Sequence, residues 1–189
     1  MGTKVKLVNA RLFFNDLFVP VEFKPGDKKP RYSATFGIDK KNKAQVKLVE
    51  DAIMASATEA YKGKAAKLVE QYRNDSNKFC FKDGDKVTWD GAEGMMVLAA
   101  HRKGSDGRPL LLDGKKNNIT EDDGTLYSGC YVNATVDIWA QTGENAGIRC
   151  SLTAIQKCGD GDAFSGAGKG SVDDFDEVED GTGDDDDMA

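Results

Sequence analysis

Residues 130–140 read CYVNATVDIWA, in which Cys130, Val132, Ala134, Val136, Ile138 and Ala140 alternate without a break with Tyr131, Asn133, Thr135, Asp137 and Trp139. A period of two over eleven residues fits an extended strand with one face in a core and the other toward water, and fits no helix. A loop with Gly143 and Gly147 leads into residues 148–155, where Ile148, Cys150, Leu152 and Ala154 alternate with Arg149, Ser151 and Thr153. Two alternating runs joined by a glycine-bearing loop predict a hairpin, and a chain built around it is mainly β.

The remaining pattern supplies partners for that hairpin. Residues 4–14 read as a strand with a bulge near Ala10, and Lys4 and Lys6 share one face. Residues 15–31 read as a basic loop with Pro20, Pro25, Gly26 and Pro30, interrupted by an apolar stretch from Phe18 to Phe23. Residues 32–38 form a second strand, with Tyr32, Ala34, Phe36 and Ile38 on one face. The period then changes: Val46, Val49, Ile53, Ala57 and Ala60 recur at helical spacing, and Asn42 with Gln45 makes a variant capping box. Gly63 interrupts the helix, and a shorter helical piece follows. Beyond a turn-rich stretch over 79–94, residues 95–101 read as a buried strand and 109–112 as a short partner strand.

Charge divides the chain in two. From Gly159 onward there are twelve acidic residues and one basic residue, Lys169, so this segment carries −11 of a total of −6 and residues 1–158 carry +5. A folded domain over 1–158 and an acidic tail over 159–189, too poor in apolar surface to fold, are the expected units. No apolar run approaches the length that spans a bilayer, so no membrane partner is expected. Cys80, Cys130, Cys150 and Cys158 form no C-x-x-C pair and the lone His101 is remote from them in sequence, so no metal and no cofactor is expected and free buried thiols are. Phosphate-binding and nucleophile-elbow motifs are absent, which argues against an enzyme.

The hydrated face of residues 130–140 carries two large aromatics, Tyr131 and Trp139, which offer flat platforms for stacking bases. Trp89 and Tyr32 are further stacking candidates. Lys4, Lys6, Arg31, Arg102, Lys103, Lys115, Lys116 and Arg149 are candidates for phosphates, several of them in loops that would rim the groove of a small barrel. Two rival classes stay open on residues alone: an acidic-tailed chaperone or DNA mimic that binds a basic partner, and a metal-dependent nuclease.

The succession of YSATFGIDK, a long helix, SGCYVNATVDIWA, GIRCSLTAIQKCGDGDAFSG and an acidic tail resembles the single-stranded DNA-binding replication proteins of tailed bacteriophages. The resemblance implies an α+β, mainly β fold: a five-stranded, partly open Greek-key barrel of the OB type with a helix between its second and third strands. It implies sequence-independent binding of single-stranded DNA in replication, recombination or repair, in the cytoplasm of the infected bacterial host, cooperatively or as a homodimer. It also implies that Asp173, Asp174, Asp176, Glu177, Glu179, Asp180 and Asp184, Asp185, Asp186 and Asp187 dock replication proteins such as a polymerase or helicase-primase. Tails of this class commonly end in an aromatic residue; this one ends in Met188 and Ala189, with Phe164 and Phe175 upstream.

Overall fold

The computed structural model describes residues 2–164, and the tail residues 173–187 named above lie outside them. In chain order the elements are β1 (Thr3–Val21), β2 (Arg31–Asp39), α1 (Lys43–Tyr61), α2 (Ala65–Tyr72), β3 (Phe81–Asp83), β4 (Met95–Lys103), β5 (Leu110–Leu112), β6 (Tyr131–Gln141) and β7 (Gly147–Gly159). Five strands close a barrel in the order β4, β2, β1, β6, β7, and β4 meets β7 again through a parallel bridge between His101 and Ser151. The barrel is of the OB type, with α1 between its second and third strands in sequence.

Alternation decides what fills it. Val132, Ala134, Val136 and Ile138 of β6 are buried, as are Ala34, Phe36 and Ile38 of β2. Each large apolar side chain so buried contributes about 1.5–3 kcal/mol. Along α1, Val49, Ile53 and Ala57 join the same core, and the Ser56 hydroxyl donates to the Ile138 carbonyl at 2.7 Å. The helix thus covers the barrel beside β1 and β6. Lys62–Lys64 forms one 3₁₀ turn at the predicted break, and the Arg73 guanidinium then clamps α2 to α1 through both oxygens of Glu50 at 3.0 and 2.7 Å.

The expected bulge lies in β1. Leu7 faces Ala134 and Ala10 faces Val132, so Val8 and Asn9 together oppose Asn133. Asn9 takes a left-handed φ of 53° and donates its backbone N–H to the Asn133 side chain at 3.0 Å. The flanking backbone is satisfied from α1: Val8 N–H donates to Gln45 Oε1 at 2.8 Å, and Gln45 Nε2 donates to the Val8 carbonyl at 3.1 Å. One extra residue reverses the parity of the strand. Lys4 and Lys6 point outward before the bulge, and Arg11 and Phe13 point outward after it.

Several local expectations are corrected. Asn42 does cap α1, accepting from the Gln45 N–H at 3.2 Å, but the Gln45 side chain is spent on the bulge and does not return to the cap. Residues 15–21, expected in a loop, continue β1 into an arm beside β2; pairing is interrupted between Asp16 and Val21, so Pro20 costs no ladder bond. The stretch expected to be turn-rich contains β3, and β5 pairs with β7 in parallel. Gly159, the expected start of the tail, completes β7, and residues 160–164 fold back onto the barrel: the Phe164 N–H donates to Ser128 O at 3.2 Å.

Replacing Gln45 by Ala leaves the bulge carbonyl and N–H of Val8 to water in a half-buried site, and should lower the unfolding free energy by roughly 1–3 kcal/mol in urea titrations. A loss of only a few tenths would mean that the bulge holds without the helix.

Candidate nucleic-acid interface

The bulge's change of parity brings β1 and β6 residues together on the outside of the barrel. Arg11 stands opposite Tyr131 in register; its guanidinium carbon lies 4.8 Å from the Tyr131 ring centre and one of its nitrogens donates to the Tyr131 hydroxyl at 3.1 Å. Two residues on, Phe13 packs against Gly37 of β2, where a Cβ would come within 2.5 Å of its ring. Only glycine leaves room for the aromatic there. Phe13 is buried at 1% exposure with Ala92 and Val97, under Trp89 and Phe164. Trp89 and the exposed Phe14 meet edge to face at 4.9 Å, and Trp89 lies 6.4 Å from Phe13.

The loop carrying Trp89 is fixed by charge. The Lys40 ammonium bonds both Asp83, at 2.5 Å, and Asp85, and Asp85 also accepts from the Gly94 N–H at 2.7 Å. The lysine holds both carboxyls below their ordinary range. Trp89 is therefore presented by an ordered loop.

Trp139 occupies the far part of β6, half-buried, and its indole N–H donates to Ser151 Oγ at 3.0 Å. Ser151 is the residue that bridges to His101 of β4. Burial first, then the charges of Arg31, Arg149 and Lys82, push the pKa of His101 down to about 4. Its Nδ1 has no hydrogen-bond partner.

The sequence candidates divide on this frame. Lys4 and Lys6 stand on the outer face opposite Asp137 and Thr135. Arg31 and Lys103 pair across β2 and β4, with Arg31 also over the Phe23 ring at 5.0 Å and 3.6 Å from Asp27. Tyr32 is buried at 8% exposure on the same strand parity as Phe36 and offers no ring to a ligand, a correction to its candidacy. The guanidinium of Arg102 donates to the carbonyls of Gly107 and Asp106, at 2.7 and 2.8 Å, and that of Arg149 to Gln141 Oε1 and the carbonyls of Asn77 and Asn145. Both arginines brace loops, which limits what they can offer a phosphate. Lys115 and Lys116 ride a turn after β5, held by the Asp113 carboxylate, toward the other end of β7 from Trp139. Arg11, Phe13, Phe14, Phe23 and Lys82 were not among the candidates; for Arg11 and Phe13 the available signal was the bulge, whose one-residue shift of parity takes both out of the barrel core, Arg11 to a half-buried position and Phe13 into a small apolar cluster with Ala92 and Val97.

Barrels of this type bind oligonucleotides or oligosaccharides on strand faces and connecting loops, and an aromatic and cationic outer face belongs to that class. A profile of the Enterobacter phage Enc34 ssDNA-binding protein family matches residues 3–189, and the chain belongs to that family. Protein p50 of Acyrthosiphon pisum secondary endosymbiont phage 1 is 37% identical over 176 residues, 93% of this chain and 94% of its own length. The single-stranded DNA-binding protein of bacteriophage Enc34, solved in complex with ssDNA, superimposes with a TM-score of 0.71 at 22% identity, covering 86% of this chain and 89% of that one. Gp2.5, a single-stranded DNA binding protein encoded by bacteriophage T7, gives a TM-score of 0.56 at 14% identity over 100% of both chains. At these identities the two structures share the fold. Among the described residues no helix is long and apolar enough to cross a membrane, and no cluster of side chains could hold a metal ion.

The depressed pKa of His101 makes a signed prediction. Unfolded, the imidazole titrates near 6.5; folded, it titrates near 4, so the unfolded chain binds the extra proton between these values. Stability should be complete above about pH 6.5 and fall by on the order of 2–3 kcal/mol as pH drops to about 4. His101→Asn should remove that part of the slope in denaturant titrations taken across the range, and an identical slope would assign it to other groups.

Proposed function

We propose that this chain is a sequence-independent single-stranded DNA-binding protein that acts in phage DNA replication, recombination or repair within the cytoplasm of the infected host, without chemistry of its own. The observation that carries this is the outer face of β1 and β6, on which Lys4 and Lys6 lie between Trp139 at one end and the Arg11–Tyr131 pair at the other, with Arg31 and Lys103 on the neighbouring strands β2 and β4. Stacking gives affinity without base selection, because every base has a π face, and the cations follow the phosphates. Membership of the Enc34 family and the complex of the Enc34 protein with ssDNA support the same conclusion.

In this proposal Tyr131 and Trp139 stack bases with Trp89 beside them. Lys4, Lys6, Arg31 and Lys103 neutralise phosphates; Lys115 and Lys116 extend the path only if the strand follows β7 to its far end. Arg102 and Arg149 shape the loops and add charge at a distance. The acidic residues from Asp173 to Asp187 serve as a docking segment for basic surfaces of replication proteins, and compete electrostatically for the same groove. A homodimer is compatible with this surface and would double its reach along a strand.

Titrating a dT oligomer into the full chain at several salt concentrations tests the proposal. Log affinity should fall with log salt by about 0.7 per phosphate neutralised. Lys4→Ala with Lys6→Ala should flatten that slope, and Trp139→Ala should cost roughly 1–3 kcal/mol at every salt concentration. Removing residues 171–189 should tighten binding at low salt only. Absence of single-strand binding by the full chain at low and high salt would overturn the proposal.

A further inference from the structure

Phe164 is the last described residue, and it is not placed like a chain end. Its ring stacks on Phe13 at 4.6 Å between centres and 21° between planes, and the Arg11 guanidinium carbon lies 4.7 Å from its centre. With Tyr131 on Arg11 and Trp89 near Phe13, Phe164 completes a run of flat groups along the outer face. It alone in that run comes from neither the barrel nor the braced loop.

The molecule makes room for this ring and its backbone. Gly91, at φ 76°, lies under it: a Cβ there would come 2.1 Å from the Phe164 ring. Gly129, at φ 113°, would bring a Cβ 2.1 Å from the Asp162 carbonyl. The segment is held by separate contacts: Lys157 pairs with Asp160, Arg11 donates to the Asp162 carbonyl at 2.8 Å, Tyr127 donates to the Gly161 carbonyl at 3.0 Å, the Gly161 N–H lies 3.2 Å from the Tyr127 hydroxyl, and Phe164 gives its one N–H to Ser128. No strand ladder includes residues 160–164.

A planar group lying on an aromatic ring and against a guanidinium is the arrangement by which proteins hold a nucleobase of any sequence. Resting on the single-strand binding proposed above, we infer that the seat of Phe164, formed by Phe13, Arg11 and the Trp89 loop, is a nucleobase subsite that the chain fills with its own phenyl ring until a strand arrives. An entering base stacks on Phe13, Arg11 turns from the Asp162 carbonyl to the strand, and residues 160–164 leave the face. Because the exchange is ring for ring, its free energy depends little on salt, unlike the competition of an acidic segment for phosphate sites.

Two measurements on the full chain decide this. Hydrogen exchange at the Phe164 amide should quicken when a saturating dT oligomer is added to the wild type, because its bond to Ser128 is lost. Phe164→Ala should bind the oligomer roughly three- to tenfold more tightly, and by a similar factor at low and high salt. Unchanged or slowed exchange at Phe164, or equal or weaker binding by Phe164→Ala, with the wild type binding normally, would overturn the subsite and leave single-strand binding intact. A wild type that does not bind the oligomer would overturn both.

Discussion

Two hydrogen bonds from one glutamine set which side chains this barrel shows to the outside. Gln45, in the first turn of α1, takes both the N–H and the carbonyl of Val8, and so secures the point at which β1 carries one residue more than β6. Without that residue, Arg11 and Phe13 would share the parity of Leu7 and point into the core. With it, a guanidinium is carried outward beside Tyr131 and the Phe13 ring into an apolar cluster on the outer side of the sheet, while Leu12 takes the barrel-core position. The helix therefore does more than cover the barrel: it maintains the register that creates the candidate face.

Charge on that face is of two kinds. Lys4, Lys6 and Lys103 stand at positions open to solvent, where a phosphate can exchange for water at little cost. Arg102 and Arg149 are committed to carbonyls, so their role is to fix the turns on either side of the β4 to β7 seam. The charge of Arg149, with that of Arg31 and Lys82, adds to burial in lowering the pKa of His101 to about 4. A net +5 over residues 1–158 is modest, but it is not spread evenly.

How much of this was legible in the sequence follows from the range of the interactions involved. The β6–β7 hairpin, the capped helix and its break at Gly63 are written in local periodicity and capping chemistry, and they occur where the pattern puts them. The arm formed by residues 15–21 was obscured by Pro20, because a proline argues against a strand unless the ladder is interrupted at that point, and interruption is a tertiary fact. Tyr131 and Trp139 could be placed outward by alternation alone. Arg11 and Phe13 could not be ranked, since the location of the bulge decides their face and composition fixes it only to within a residue or two. Gln45 was visible as a capping residue, but its actual partner lies 37 residues away. Arg102 and Arg149 looked like any other basic residues until their acceptors were known, and Tyr32, an aromatic on the buried parity, shows that residue type without facing misleads.

In the proposed mode of binding, single-stranded DNA lies on the outer face organised by the β1 bulge, across β1, β6 and the Trp89 loop. Photocrosslinking an oligomer that carries 5-iodouracil, followed by mapping of the modified residues in the full chain, tests it directly. Adducts are expected at Tyr131, Trp139, Trp89 and Phe13, and should be lost when excess unlabelled dT oligomer competes. Adducts confined to α1, α2 or the turn at Lys115 and Lys116 would contradict it.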